Sequence, residues 1–243
     1  MTDYDLPPPA AGRYPFWTYR DALILGLLAI PLLFLSVGLV GGFIWALGWK
    51  PPAKAVPLLA AQFLFYSLWL ACLCAWIKGH YHRPFWRSLA WLKPPKGWWH
   101  SFAWGVLTAL AVIALIAVVK PPPVETAFTD LLRDPASVVW VALFAVTLGP
   151  LWEELAFRGF LLPLLARSLT AVPAVVLTAV VFAGLHSPQY AWSWKHLALV
   201  AVAGSAFGWM RQWSGSTAAA TVMHAGYNLV FAFLGVLAAR HQA

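Results

Sequence analysis

A chain of 243 residues that is 62% hydrophobic and only 10% charged cannot be an ordinary soluble domain. Its net charge of +8 is what basic segments resting on anionic headgroups produce, at about 1 kcal/mol per residue, so nucleic acid is not needed as a partner. The composition is that of an integral membrane protein with membrane lipids as its surroundings, an all-α, polytopic transmembrane bundle of seven or eight helices.

In chain order, the first twenty residues carry Asp3, Asp5 and Pro7 to Pro9 and lack the basic start and short apolar core of a signal peptide, so this terminus is expected to be retained. Residues 1–21 read as a cytoplasmic N-terminal segment. Runs near the roughly 20 apolar residues that a crossing needs follow at Ala22 to Leu47, Val56 to Ile77, Phe102 to Val119, Ser137 to Ala166, Val172 to Leu185, His196 to Met210 and Thr217 to Ala239. The fifth and sixth are short for a full crossing, a mismatch that tilt or burial absorbs. Cys72 and Cys74 stand too close together in an apolar helix for a disulfide or a cysteine zinc site, and read as small core residues.

The connection after the second run holds Lys78, Arg83, Arg87, Lys93 and Lys96 and no acid. Because Lys and Arg favour cytoplasmic loops, this connection is expected inside. Arg13, Arg20, Arg158, Arg167 and Arg211 then fall on the same side, ten basic residues against the six outside: Lys50, Lys54, Lys120, Arg133, Lys195 and Arg240. The reading is a bacterial inner-membrane protein with a cytoplasmic N-terminus. His80, His82 and His100, and tryptophans near helix ends such as Trp45, Trp49, Trp98, Trp99 and Trp213, suit an interfacial belt without catalytic duty.

The fourth run breaks the apolar pattern. Glu153, Glu154 and Arg158 lie within it, although the chain has only eight acidic residues. Charge at bilayer depth costs roughly 2.5–3.5 kcal/mol per residue and marks function. The step from Glu154 to Arg158 puts acid and base on one helix face in the favourable order, so Glu154 has a local partner. Glu153, about 100° further round, is free to address another helix as a base. Gly149 and Pro150 kink or restart the helix just upstream; a proline at the first helical position would put both glutamates in a first turn that favours negative charge.

Phe182 with His186, and His224 with Asn228, repeat the four-residue step on the fifth and seventh runs. A hairpin turning near Leu169 and Thr170 leaves Glu153 and His186 each about sixteen residues away, roughly 24 Å up both helices, at similar height. His224 is only about eight residues past the Ser214 to Ser216 turn, so reaching the same level requires an offset that ideal helices do not supply.

Glu-Glu-x-x-x-Arg at Glu153 to Arg158, Phe-x-x-x-His at Phe182 to His186 and His-x-x-x-Asn at His224 to Asn228 together resemble the CAAX protease and bacteriocin-processing (CPBP, Abi) family, which includes the type II CAAX prenyl endopeptidases. The resemblance spans roughly Val138 to Ala238. It implies a catalytic core at residues 136–243 and accessory helices at 22–135, within a single structural domain. The implied activity is hydrolysis of a peptide bond in a hydrophobic, membrane-associated substrate, a prenylated or leader peptide.

On the same resemblance Glu153 activates water, His186 holds and orients it, Glu154 and Arg158 form the supporting ion pair, and His224 and Asn228 stabilise the oxyanion. Peptide hydrolysis needs such a base and such donors. Metal dependence stays open between no cofactor and one Zn. Glu153, His186 and His224 are a sufficient zinc set, but the short His-Glu-x-x-His helix motif is missing, which favours metal-free water activation. The alternatives are a non-catalytic bacteriocin-immunity or peptide-binding protein that keeps the polar cluster as interhelical glue, and, behind it, a small transporter, for which the chain shows no internal repeat.

Overall fold

The computed structural model describes residues 14–240. The acidic, proline-rich start, with Asp3, Asp5, Pro7 to Pro9 and Arg13, lies outside the described residues. Nine helices, rather than seven or eight, are present among the described residues: α1 (Tyr19–Leu47), α2 (Ala55–His80), α3 (Phe85–Ser88), α4 (Trp98–Val119), α5 (Ala127–Leu132), α6 (Pro135–Ser168), α7 (Ala171–Leu185), α8 (Trp194–Ser214) and α9 (Thr217–Arg240). The additional ones are α3 and α5, of four and six residues, too short to show an apolar period. Five helices, α1, α2, α4, α6 and α9, are long and apolar enough to cross a membrane, and α7 is a shorter apolar helix. The protein is an integral membrane protein.

Large apolar side chains on α1 face outward, among them Leu27, Phe34 and Phe43, as lipid-facing surface requires. Trp45, Trp99, Trp192 and Trp194 are also strongly exposed near helix ends, where amphipathic rings meet headgroups. Cys72 and Cys74 are free thiols packed against the core.

Helix α9 packs against α4, α6 and α8, while α1 pairs with α2 and α7 with α8. The α4–α9 contact is backbone on backbone: a Cβ on Gly105 would stand 2.0 Å from the Met223 carbonyl oxygen, and one on Gly226 would stand 2.7 Å from that of Phe102. Without a hydrophobic driving force between helices in lipid, such close approach through small residues supplies the packing energy.

Helix α6 carries the glutamates, and its start is well defined. Asp134 caps it by accepting from the Ser137 amide at 3.2 Å and the Ser137 hydroxyl at 2.5 Å, with Pro135 in the first turn. The hydroxyl contact holds the Asp134 carboxyl below its ordinary range. Ser137 Oγ also accepts from the Ala55 amide at 2.9 Å, which sets the register of α2 against α6.

The helix breaks at Thr147 (φ −113°, ψ −78°), restarts over Leu148–Glu154, and continues as a π-helix over Leu155–Leu161. Pro150 is the third residue of the restarted stretch, where its missing N–H leaves no bond unmade. Both glutamates therefore lie beyond the first turn, and the dipole effect weighed for them does not operate at full strength.

The segment after α3 enters the bundle. Leu89 is fully buried, and the Leu89, Ala90 and Leu92 carbonyls accept from the Thr217 hydroxyl at 2.6 Å, the Thr217 amide at 2.9 Å and the Ser216 hydroxyl. Irregular backbone buried here survives because its polar groups are satisfied within protein. The contact also seats the start of α9 beside Gly159 of α6, whose Cβ would lie 3.6 Å from Thr217 Cγ2.

Candidate active site

This seating supplies the offset that ideal helices lack. With Thr217 level with Gly159, His224 lies seven residues along α9 and Glu154 five residues back along α6, roughly 10 Å and 8 Å of rise. They meet: the Nδ1 of His224 is 3.0 Å from Glu154 Oε1.

Glu154 and Arg158 are both fully buried and joined at 2.8 Å, Nη1 donating to Oε1. Arg158 Nη2 donates to the Gly204 carbonyl on α8 at 2.7 Å. The guanidinium approach is open because position 204 is glycine: a Cβ there would lie 3.3 Å from Nη2 and 3.2 Å from the Phe182 ring. The charge also sits 4.7 Å from the Phe182 ring centre and 5.5 Å from that of Phe207, within cation–π range. Glu154 is therefore a clamped counter-ion.

Glu153 is different. Its side chain keeps 15% exposure against 0% for Glu154. Its Oε2 lies 3.9 Å from Nε2 of His224, beyond a direct hydrogen bond but within the range that one bridging water spans. Its Oε1 accepts from the Tyr66 hydroxyl at 3.1 Å.

His224 is buried and stacked on Phe207, ring centres 4.4 Å apart at 20°. A carboxylate can only accept, so Nδ1 carries a proton toward Glu154, and Nε2 donates only when the ring holds both protons. His186 follows the last residue of α7, its Nδ1 2.8 Å from the Phe182 carbonyl. A carbonyl likewise only accepts, which leaves Nε2 as a lone-pair acceptor in the neutral ring. Phe182 touches both histidines, at 4.6 Å from His186 and 6.0 Å from His224 between ring centres. Asn228 Nδ2 donates to the Ala145 carbonyl at 2.7 Å, one of the acceptors freed by the break at Thr147. Its second amide hydrogen is not used by that bond.

A catalytic zinc needs three protein donors about 2.0–2.2 Å from the ion. Among the described residues no three His, Cys, Asp or Glu side chains gather closely enough. His224 turns Nδ1 to Glu154 and His186 turns Nδ1 to a carbonyl, contacts that leave each Nε2 unengaged, as metal-binding histidines also do.

Two neighbours of this cluster, Phe207 against His224 and Tyr66 on Glu153, escaped the sequence reading. Phe207 was signalled by Gly204-x-x-x-Gly208, a spacing that lets helices approach. Tyr66 was signalled by Gln62-x-x-x-Tyr66, two polar groups one turn apart in a largely apolar helix. Glu153, Glu154, Arg158 and His224 come together directly, with Phe182 bridging to His186.

The helix broken at Thr147 thus brings Glu153, Glu154 and Arg158 against His224, with Phe182 linking this cluster to His186. Residues 135–230 match the family model described as "Type II CAAX prenyl endopeptidase Rce1-like". The matched segment contains all three motifs and supports the resemblance to the CPBP/CAAX protease family. No curated protein and no solved structure matched the chain.

Proposed function

We propose that the protein hydrolyses a peptide bond in a membrane-associated substrate, a prenylated or leader peptide, with Glu153 as the general base. One observation carries the reading: of the two adjacent carboxylates, Glu154 is fully buried and ion-paired while Glu153 keeps exposure and faces His224 across 3.9 Å.

Glu153 takes a proton from water that His186 Nε2 helps orient, and the oxygen attacks the scissile carbonyl. The Nε2–H of a His224 ring that carries a proton on each nitrogen, and the second amide hydrogen of Asn228, stabilise the oxyanion. The proton held on Glu153 then passes to the leaving amine. Glu154 and Arg158 touch no reacting atom; they hold the His224 ring. The ten-to-six bias of basic residues supports a cytoplasmic N-terminus.

The test uses purified protein in detergent and a fluorogenic peptide ending in an S-farnesylated cysteine plus three residues. Wild type is expected to cleave it, and Glu153→Gln to lose about 10²–10⁴ in rate, the usual worth of a general base. Cleavage by Glu153→Gln at the wild-type rate would end the proposal.

A further inference from the structure

The hydrogen bond to Glu153 comes from outside the family-matched segment. Tyr66 on α2 donates its phenolic proton to Glu153 Oε1 at 3.1 Å. One turn earlier, Gln62 Nε2 donates to the Tyr66 oxygen at 3.1 Å. Neither residue belongs to the three motifs. An amide nitrogen can only donate, so the phenol accepts from Gln62 and its single proton is directed at Glu153.

The phenol is also confined. Its ring lies 5.7 Å from Trp152 and 6.5 Å from Phe144, centre to centre. Phe144 sits just before the break at Thr147, and its carbonyl is 3.3 Å from where a Gly149 Cβ would stand. The aromatic packing thus ties Tyr66 to the two stretches of α6 that flank the break.

We propose that Tyr66, oriented by Gln62, is a positioning residue that holds Oε1 of Glu153 so that Oε2 faces the space beside His224. The proposal rests on reading Glu153 as the base. A glutamate side chain held at one oxygen cannot swap its two oxygens or turn to another rotamer without giving up that bond. Hydrolysis depends on the base within hydrogen-bond reach of water, and a misplacement of about 1 Å costs on the order of a hundredfold. A helix that the family match does not include would thereby set the rate of the site in α6, α7 and α9.

Four variants on the farnesylated probe decide it: Tyr66→Phe, Gln62→Leu, their double, and Glu153→Gln. Tyr66→Phe keeps the ring and its packing, and is expected to lower kcat about tenfold or more with KM unchanged. Gln62→Leu should give a smaller loss, and added to Tyr66→Phe no further loss, because it acts only through the phenol. Wild-type kcat in Tyr66→Phe, or additive losses in the double variant, overturns the proposal. If Glu153→Gln is silent while Tyr66→Phe is fully active, the base reading stands and this inference alone falls; if Glu153→Gln is active, the base reading itself fails. A readout independent of substrate is the infrared carboxylate band that disappears in Glu153→Gln. It is expected to shift in Tyr66→Phe, and an unmoved band refutes the hydrogen bond.

Discussion

Glu154 Oε1 accepts from both Arg158 and His224, and none of these side chains has solvent to replace a lost partner. Removing one member of a buried pair leaves an uncompensated charge and costs about 3–5 kcal/mol, whereas replacing both by apolar groups of similar volume is often neutral or better. Arg158→Met is therefore expected to lower the unfolding free energy by about that amount in detergent denaturation. The double variant Arg158→Met with Glu154→Leu should recover most of the stability and none of the activity, because His224 then has no acceptor for Nδ1. Activity returning with stability would mean that the pair has no part in holding His224.

At the scale of elements, the site depends on helices that depart from ideal geometry. Helix α6 is interrupted at Thr147, and its π stretch turns with wider spacing, an irregularity common at functional sites. Helix α9 depends on Gly105 of α4 for its place. Gly105→Ala would put a methyl 2.0 Å from a backbone oxygen that cannot move aside, so it is expected to lower stability by at least about 1–3 kcal/mol. Gly184→Ala in α7 meets nothing within 4 Å and is expected to be neutral or to gain up to about 1 kcal/mol from helix propensity. Unfolding midpoints of the two variants, measured side by side, check both; equal midpoints would show that α4 and α9 slide freely.

In the whole molecule, the chain's first described residues close the bundle. Trp17 is fully buried, stacks on Phe160 at 5.3 Å, and donates its indole N–H to the Phe160 carbonyl at 3.1 Å. Arg167 donates to the Pro15 and Trp17 carbonyls at 2.8 and 2.9 Å. Asp21 ties the same corner to α2, accepting from Tyr81 at 2.5 Å and Trp76 at 3.2 Å. Burial and this contact push the Tyr81 hydroxyl up to about 12. Trp17→Ala removes a large ring and a donor from one core cluster, and is expected to cost about 3–5 kcal/mol, read as a lower melting temperature in detergent. No change in melting would mean that this corner is not part of the cooperative unit.

The amino-acid sequence by itself determined the membrane class, seven of the nine helices, the hairpin at Leu169 and Thr170, and the charged residues at issue. These depend on composition and on one-dimensional period, because lipid excludes charge and irregular backbone wherever they lack a partner. The short helices α3 and α5 left no period to read. Only the tertiary structure decided that His224 meets Glu154, since that follows from Thr217 being seated on Leu89 beside Gly159. The same holds for Asn228 reaching Ala145, Phe207 stacking on His224, and Tyr66 bonding to Glu153. Each joins helices far apart in the chain, and their relative height is set by close contacts between surfaces, which no residue spacing within a helix records.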